Sequence, residues 1–161
     1  MPILVDSHAH LDMCGEPGAT VAAAAAWGVQ RILTVGFDLN TSRLSVQLAR
    51  KHHGVLAAVG IHPHDASIVD EAIMSELAEL ASDPAVVAIG ETGLDYYRDR
   101  SPRATQKEAF IRHLQLARTL DLTVMVHSRD AASDTLSLLE RHAQGLRVVL
   151  HCFALHDHLD Q

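Results

Sequence analysis

Residues 86–95 read Val-Val-Ala-Ile-Gly-Glu-Thr-Gly-Leu-Asp. Four apolar residues without a polar one between them suit a strand buried on both faces. The glycine and carboxylates that follow suit the loop at such a strand's C-terminal end. The same grammar recurs in both directions along the chain. Short runs rich in Val, Ile and Leu lie at 3–5, 31–35, 55–59, 86–89, 122–126 and 147–150. Near-continuous apolarity, without alternation, is what a parallel sheet covered on both sides requires.

Helical segments fill the intervals. Ala19 to Trp27 is stopped by Gly28, and Ser42 to His53 is begun by Thr41 and stopped by Gly54. A third runs from Asp70 to Ala81, with Ile73, Leu77 and Leu80 on one face and Pro84 beyond its end. A fourth spans Arg103 to Leu120, with Phe110, Leu114 and Ala117 at helical spacing, and a fifth spans Ala131 to Ala143 before Gly145. Ala22 to Ala26 reads as a small-residue face that packs closely on the sheet. Strand centres recur about every 29 residues, the repeat of a β/α barrel, whose eight units run to about 250 residues. The expectation is an α/β chain of the TIM-type (βα)8 class with about six strands present, residues 1–161 forming a single domain without an internal linker.

The charge balance, 13 Lys and Arg against 20 Asp and Glu for a net of −7, argues against the broad basic face of a sequence-independent DNA binder. At 48% hydrophobic and 20% charged, the chain is neither disordered nor fibrous. No run has the length of a membrane helix, and the opening MPILVDSHAH lacks the marks of a signal peptide, so no membrane partner and a cytoplasmic location are expected. Cys14 and Cys152 are far apart and outside any CxxC, which suits reduced thiols.

Histidine is the unusual residue, with 12 copies. The ends of the strands carry Asp6-Ser7-His8-Ala9-His10, Gly60-Ile61-His62-Pro63-His64, Gly90-Glu91-Thr92-Gly93-Leu94-Asp95, His127-Ser128-Arg129-Asp130 and His151-Cys152-Phe153. His8 and His10 are two apart on an extended segment, so their side chains point the same way, as chelation requires. In a closing barrel the strand ends converge, and they bring Glu91, His127 and His151 to the same volume. Four imidazoles and a carboxylate gathered there call for a cation. Two ions bridged by Glu91 would polarise a phosphoryl or carbonyl oxygen and activate a water for hydrolysis.

These motifs, DSHAHLD at 6–12, GIHPH at 60–64, GETGLDYY at 90–97, VHSRDA at 126–131 and HCF at 151–153, together resemble the TatD family of metal-dependent deoxyribonucleases, a branch of the amidohydrolase-like barrels. The resemblance implies a (βα)8 barrel holding two divalent cations, magnesium or manganese first and zinc as a further option. His8, His10 and Glu91 would hold one metal, and Glu91, His127 and His151 the other, with Glu91 as the catalytic bridge. His62 and, on weaker grounds, Arg129 would contact the DNA substrate. Family members continue through two more strands and carry a metal-ligating aspartate after the seventh, whereas this sequence ends at Gln161 inside what reads as the sixth helix. From that follow the expectations of weak or single-metal occupancy, little nuclease activity, and self-association through open edges at the first and sixth strands.

Other readings of the same residues fare less well. His127, Ser128 and Asp130 are neighbours whose side chains point apart, and no G-x-S-x-G elbow occurs, so a serine hydrolase is disfavoured. Cys152 beside His151 reads as an inert thiol, and Asp95 reads as a support for the loop or for a histidine rather than as half of a glycosidase pair with Glu91. His52, His53, His142, His156 and His158 read as solvated. Arg98, Arg100 and Arg103 offer a phosphate rail beside the site. Two alternatives stay open: a small-molecule amidohydrolase or lactonase on the same metals, and an inactive fragment.

Overall fold

In the computed structural model, which describes residues 3–151, six parallel strands pair strictly in chain order. They are β1 (Leu4–Ala9), β2 (Val29–Val35), β3 (Val55–Val59), β4 (Val86–Asp95), β5 (Thr123–Arg129) and β6 (Val148–Leu150). Helices α1 (Pro17–Ala26), α2 (Leu39–Lys51), α3 (Glu71–Ala81), α4 (Arg103–Leu120) and α5 (Ala132–His142) alternate with them, and 3-10 turns lie at Leu11–Met13 and Pro63–Ile68. This is the expected barrel-type α/β architecture. The sheet curls enough that the rings of His8 on β1 and His151 beyond β6 stack 4.0 Å apart, although neither edge strand pairs with the other.

The core has two parts because residues along a strand alternate between faces. Ile32, Val55, Ala57, Val59, Ile89, Val124 and Val126 meet Val46, Leu77, Phe110 and Leu114 of the helices. Val35, Ala58 and Ala88, with Leu33 against them, form a separate cluster on the other face. Alanine at 58 and 88 takes little room there, which lets the sheet bend tightly. Farther along, a Cβ on Gly60 would stand 2.8 Å from the Gly90 Cα, so β3 and β4 come together backbone to backbone just before the site.

Several sequence boundaries shift for identifiable reasons. Strand β4 continues through Asp95, so Glu91 and Asp95 sit on the strand instead of in a loop after it; His8, His127 and Arg129 likewise lie within β1 and β5. Polar residues on a buried strand obscure its end in a reading based on apolarity. Helix α2 begins at Leu39, not after Thr41: Asp38 is the N-cap and Thr41 the third helical residue of a reciprocal capping box, with Thr41 N–H donating to Asp38 Oδ1 at 2.7 Å. The alanine face of α1 does not pack as expected. Val21 and Ala24 lean on the core, whereas Ala22, Ala23, Ala25 and Ala26 are exposed. His53 is exposed but His52 and His142 are half-buried, and His156, His158 and Cys152 lie outside the described residues.

Candidate metal centre

Glu91 is the hub of the site. It is 5% exposed, and its two oxygens face different histidines. Oε2 looks toward Nε2 of His8 at 3.6 Å and Nε2 of His10 at 4.0 Å. Oε1 meets His151 Nε2 at 2.6 Å and His127 Nδ1 at 2.9 Å. The structure therefore brings together His8, His10, Glu91, His127 and His151, with His62 Nε2 3.8 Å from Oε1.

Hydrogen bonds assign the tautomers of several of these rings. A carbonyl can only accept, so His10 Nδ1 donates to Val35 O at 2.9 Å and leaves Nε2 bare. That lone pair faces His8 Nε2 at 3.3 Å, while His8 Nδ1 is buried without a partner. On the other side, Asp95 Oδ2 accepts from His127 Nε2 at 3.2 Å, so a neutral His127 turns a bare Nδ1 toward Glu91 Oε1. The facing lone pairs of His127 Nδ1 and Glu91 Oε1 need a positive charge between them, a proton or a cation, and the lone pair on His10 Nε2 takes either the His8 Nε2 proton or a cation. The donor set of imidazoles around one shared carboxylate fits a divalent ion on each side of Glu91.

The titration behaviour follows the same geometry. Burial alone would raise the Glu91 carboxyl, but hydrogen bonds to His127 and His151, with His62 nearby, outweigh it and hold the group well below the usual carboxylate range. Burial would lower His127, yet its bonds to Glu91 and Asp95 raise it above its ordinary value. His8 is pushed down to about 4, first by burial and then by His151. His62 falls to about 3, chiefly through burial.

Among the described residues, three groups of donors lie within 4.8 Å of one another: His8, His10 and Glu91; Glu91, His127 and His151; and His62, Asp95 and His127. The third is a poorer cation cage. His62 Nδ1 accepts from the His64 N–H at 3.1 Å, which leaves its proton on Nε2, and His127 Nε2 already donates to Asp95. Asp95, 1% exposed, is instead a brace. Oδ2 also accepts from His64 Nε2 at 2.9 Å, and Oδ1 accepts from the Arg98 N–H at 2.7 Å. It thus supports both the loop and a histidine, the two roles open to it from sequence. Burial would raise its carboxyl, but these bonds lower it.

Arg129 is not drawn into the cluster. Its guanidinium lies 4.0 Å over the Tyr97 ring, which is 59% exposed. Of the arginine rail, Arg103 pairs with Asp99 and covers Tyr96, Arg98 lies 5.8 Å from the Tyr97 centroid, and Arg100 lines the cavity that opens on Glu91. Sequence reasoning missed His113. Fully buried on α4, it donates from Nδ1 to Ala109 O at 2.7 Å and accepts the Ile61 N–H at Nε2 at 3.1 Å, so it holds the approach to His62. Only its apolar neighbours at helical spacing hinted at its burial. It also missed His64 as a partner of Asp95, although the GIHPH motif contains it.

The family sequence model described as TatD related DNase matches residues 5–158. The chain is 37% identical over 155 residues to an uncharacterized metal-dependent hydrolase, YabD, of Bacillus subtilis, covering 94% of this chain and 61% of that protein. It is 43% identical over 134 residues to a 3'-5' ssDNA/RNA exonuclease, TatD, of Cronobacter turicensis, covering 83% of this chain and 51% of that one. The crystal structure of YjjV, a TatD homolog from Escherichia coli K12, superposes with a TM-score of 0.85 at 28% identity, over 94% of this chain and 60% of that structure. The chain therefore spans between 51% and 61% of the length of these relatives.

Proposed function

This chain belongs to the TatD-related DNase family, and from that premise we propose that it supplies the metal-binding face of a hydrolase acting on phosphodiester bonds at the ends of nucleic acids, DNA first. The observation that carries the reading is the division of the Glu91 carboxylate between two histidine pairs. His8, His10 and Glu91 would hold one divalent cation, and Glu91, His127 and His151 a second, with magnesium or manganese expected and zinc compatible with the imidazoles. When bound, such ions supply Lewis acidity toward a phosphoryl oxygen and lower the pKa of water beside them.

The chain's own residues do the rest. His62 is neutral and carries its proton on Nε2, so it offers a hydrogen bond to a phosphate oxygen and is no general base. Asp95 keeps His127 turned with Nδ1 toward Glu91. Arg129, held over the Tyr97 ring, would meet a phosphate farther along the strand. Residues 1–161 are assigned to one hydrolase domain working in the cytoplasm; no helix among the described residues is long and apolar enough to cross a membrane. Nucleic acid is favoured over a lactone or amide because relatives such as the Cronobacter protein are named as exonucleases.

The test is to strip the protein with chelator, assay a labelled single-stranded oligonucleotide, and restore magnesium or manganese. Cleavage is expected only with metal. Undiminished cleavage in excess chelator refutes the two-metal reading, and faster turnover of a lactone or an N-acyl amino acid than of the oligonucleotide refutes the substrate class.

A further inference from the structure

Strand β3 ends at Val59, which pairs with Ile89, so the part of β4 that carries Asp95 has run past its neighbour on that side. On the other side β5 continues, and Arg129 O accepts the Tyr96 N–H at 2.9 Å. Backbone groups of successive residues on a strand point to opposite sides, so the N–H and C=O of Asp95 face the side that β3 has left. Buried there, they need partners from elsewhere. Gln106, 1% exposed on α4, takes the place of the missing strand.

The Gln106 side chain uses its whole amide. Oε1 accepts the Asp95 N–H at 2.8 Å, and Nε2 donates to Asp95 O at 3.3 Å and to Ser101 O at 2.8 Å. Two carbonyls that can only accept and one N–H that can only donate fix which way the amide is turned. The same group closes the base of the loop between Asp95 and Ser101, whose residues 97–100 are exposed. Ser101, 2% exposed, extends the grip: its hydroxyl donates to His64 O at 2.8 Å and accepts the Ser67 N–H at 3.2 Å. Asp95 and His64, whose side chains meet at Asp95 Oδ2, are thus each held through the backbone by this buried pair.

We infer that Gln106 is a positioning residue for the metal centre: by fixing the Asp95 backbone it fixes the carboxylate that accepts from His127 Nε2, and so keeps His127 Nδ1 turned toward Glu91. The inference rests on the metal-centre reading above and adds to it a residue outside both groups of candidate ligands. Only two side-chain torsions separate the Asp95 backbone from its carboxylate, so a shift of the one carries the other with it. Ligand sets of this kind work when their supports hold them to within about 0.5 Å.

The experiment takes the full chain free of metal, reads the neutral His127 ring by nitrogen NMR and the Asp95 amide by hydrogen exchange, and then titrates manganese calorimetrically. The wild type should show His127 protonated at Nε2 and a protected Asp95 amide. Gln106→Ala leaves room for water to satisfy the freed groups, so the fold should survive while the grip is lost. It should speed Asp95 amide exchange, mix the His127 tautomers and weaken manganese binding by about tenfold. Gln106→Glu, which keeps an oxygen for the Asp95 N–H and loses the two donors, is the second variant and should shift the tautomer less. Leu77→Ala, a cavity in the core at α3, should lower the urea midpoint and leave the tautomer alone, which separates positioning from stability. Added to Asp95→Asn, Gln106→Ala should cost no further affinity, because it acts through Asp95. A wild-type tautomer in the Gln106 variants, losses that multiply in the double variant, or an equal disturbance in Leu77→Ala overturns the inference. Because the ring is read without metal, a tautomer that follows Gln106 beside absent manganese binding would keep the grip on His127 and reject the metal centre; manganese binding with a tautomer indifferent to Gln106 would do the reverse.

Discussion

Glu91 and Asp95, four residues apart on one strand, do opposite work with the same functional group. Glu91 spreads its oxygens over two histidine pairs, whereas Asp95 spends both of its own on hydrogen bonds from Arg98, His64 and His127. Removing the Glu91 charge disturbs both candidate ion sites, and removing His8 disturbs one. Glu91→Gln should therefore lower metal content and cleavage rate further than His8→Ala, by on the order of a hundredfold in rate. Elemental analysis and rates on one oligonucleotide decide the order, and wild-type occupancy in Glu91→Gln would remove its bridging role. Asp95→Asn should act more gently, about 10–100-fold in metal affinity, because its amide can present a donor to His127 Nε2 and favour the wrong tautomer. Nitrogen NMR shifts of His127 should report that change, and an unaltered tautomer with normal affinity would count against the brace.

At the scale of elements, the site depends on close contacts between strands. Gly93 adopts a φ of +136°, and a Cβ there would run into the His127 carbonyl oxygen of the neighbouring strand. Gly93→Ala should push β5 away, carry His127 with it, and destabilise the fold by roughly 2 kcal/mol or more; an unchanged urea midpoint would show that the strands can yield. His113 ties α4 to the end of β3, and burial, against the bond to Ala109, lowers it from 6.5 to about 4. Between those values the unfolded chain binds more protons than the folded one. The stability from neutral His113 is complete above pH 6.5 and is lost as pH falls toward 4, to the extent of about 3 kcal/mol. His113→Leu should be less stable at pH 7, having orphaned the Ile61 N–H, yet lose less on acidification. Equal losses for both proteins would place the titration elsewhere.

Across the described residues, the curl of the sheet gathers the site and leaves β1 and β6 each paired on one side. Among the described residues β1 pairs only with β2, and Leu4 and Val5 are 46% and 63% exposed. Unpaired, apolar edges template further pairing, so sedimentation velocity should show the average mass rising with concentration, and Val5→Lys should suppress the rise. A wild-type protein that stays monomeric throughout would reject association through this edge. Much of this architecture was legible in the chain itself. Apolar runs at a regular interval dictate parallel strands alternating with helices, because only a sheet covered on both faces tolerates them, and the residues at the strand ends follow from that register. What the linear order could not contain were the events that depend on how tightly the sheet bends. The stacking of His8 on His151, the bonds of Asp95 to His64 and His127, and the burial of His113 each join residues from separate strands and helices. Strand ends were misplaced for a related reason: a carboxylate inside a strand looks like a loop residue until the surrounding imidazoles that satisfy it are in place, and only the folded chain brings them there.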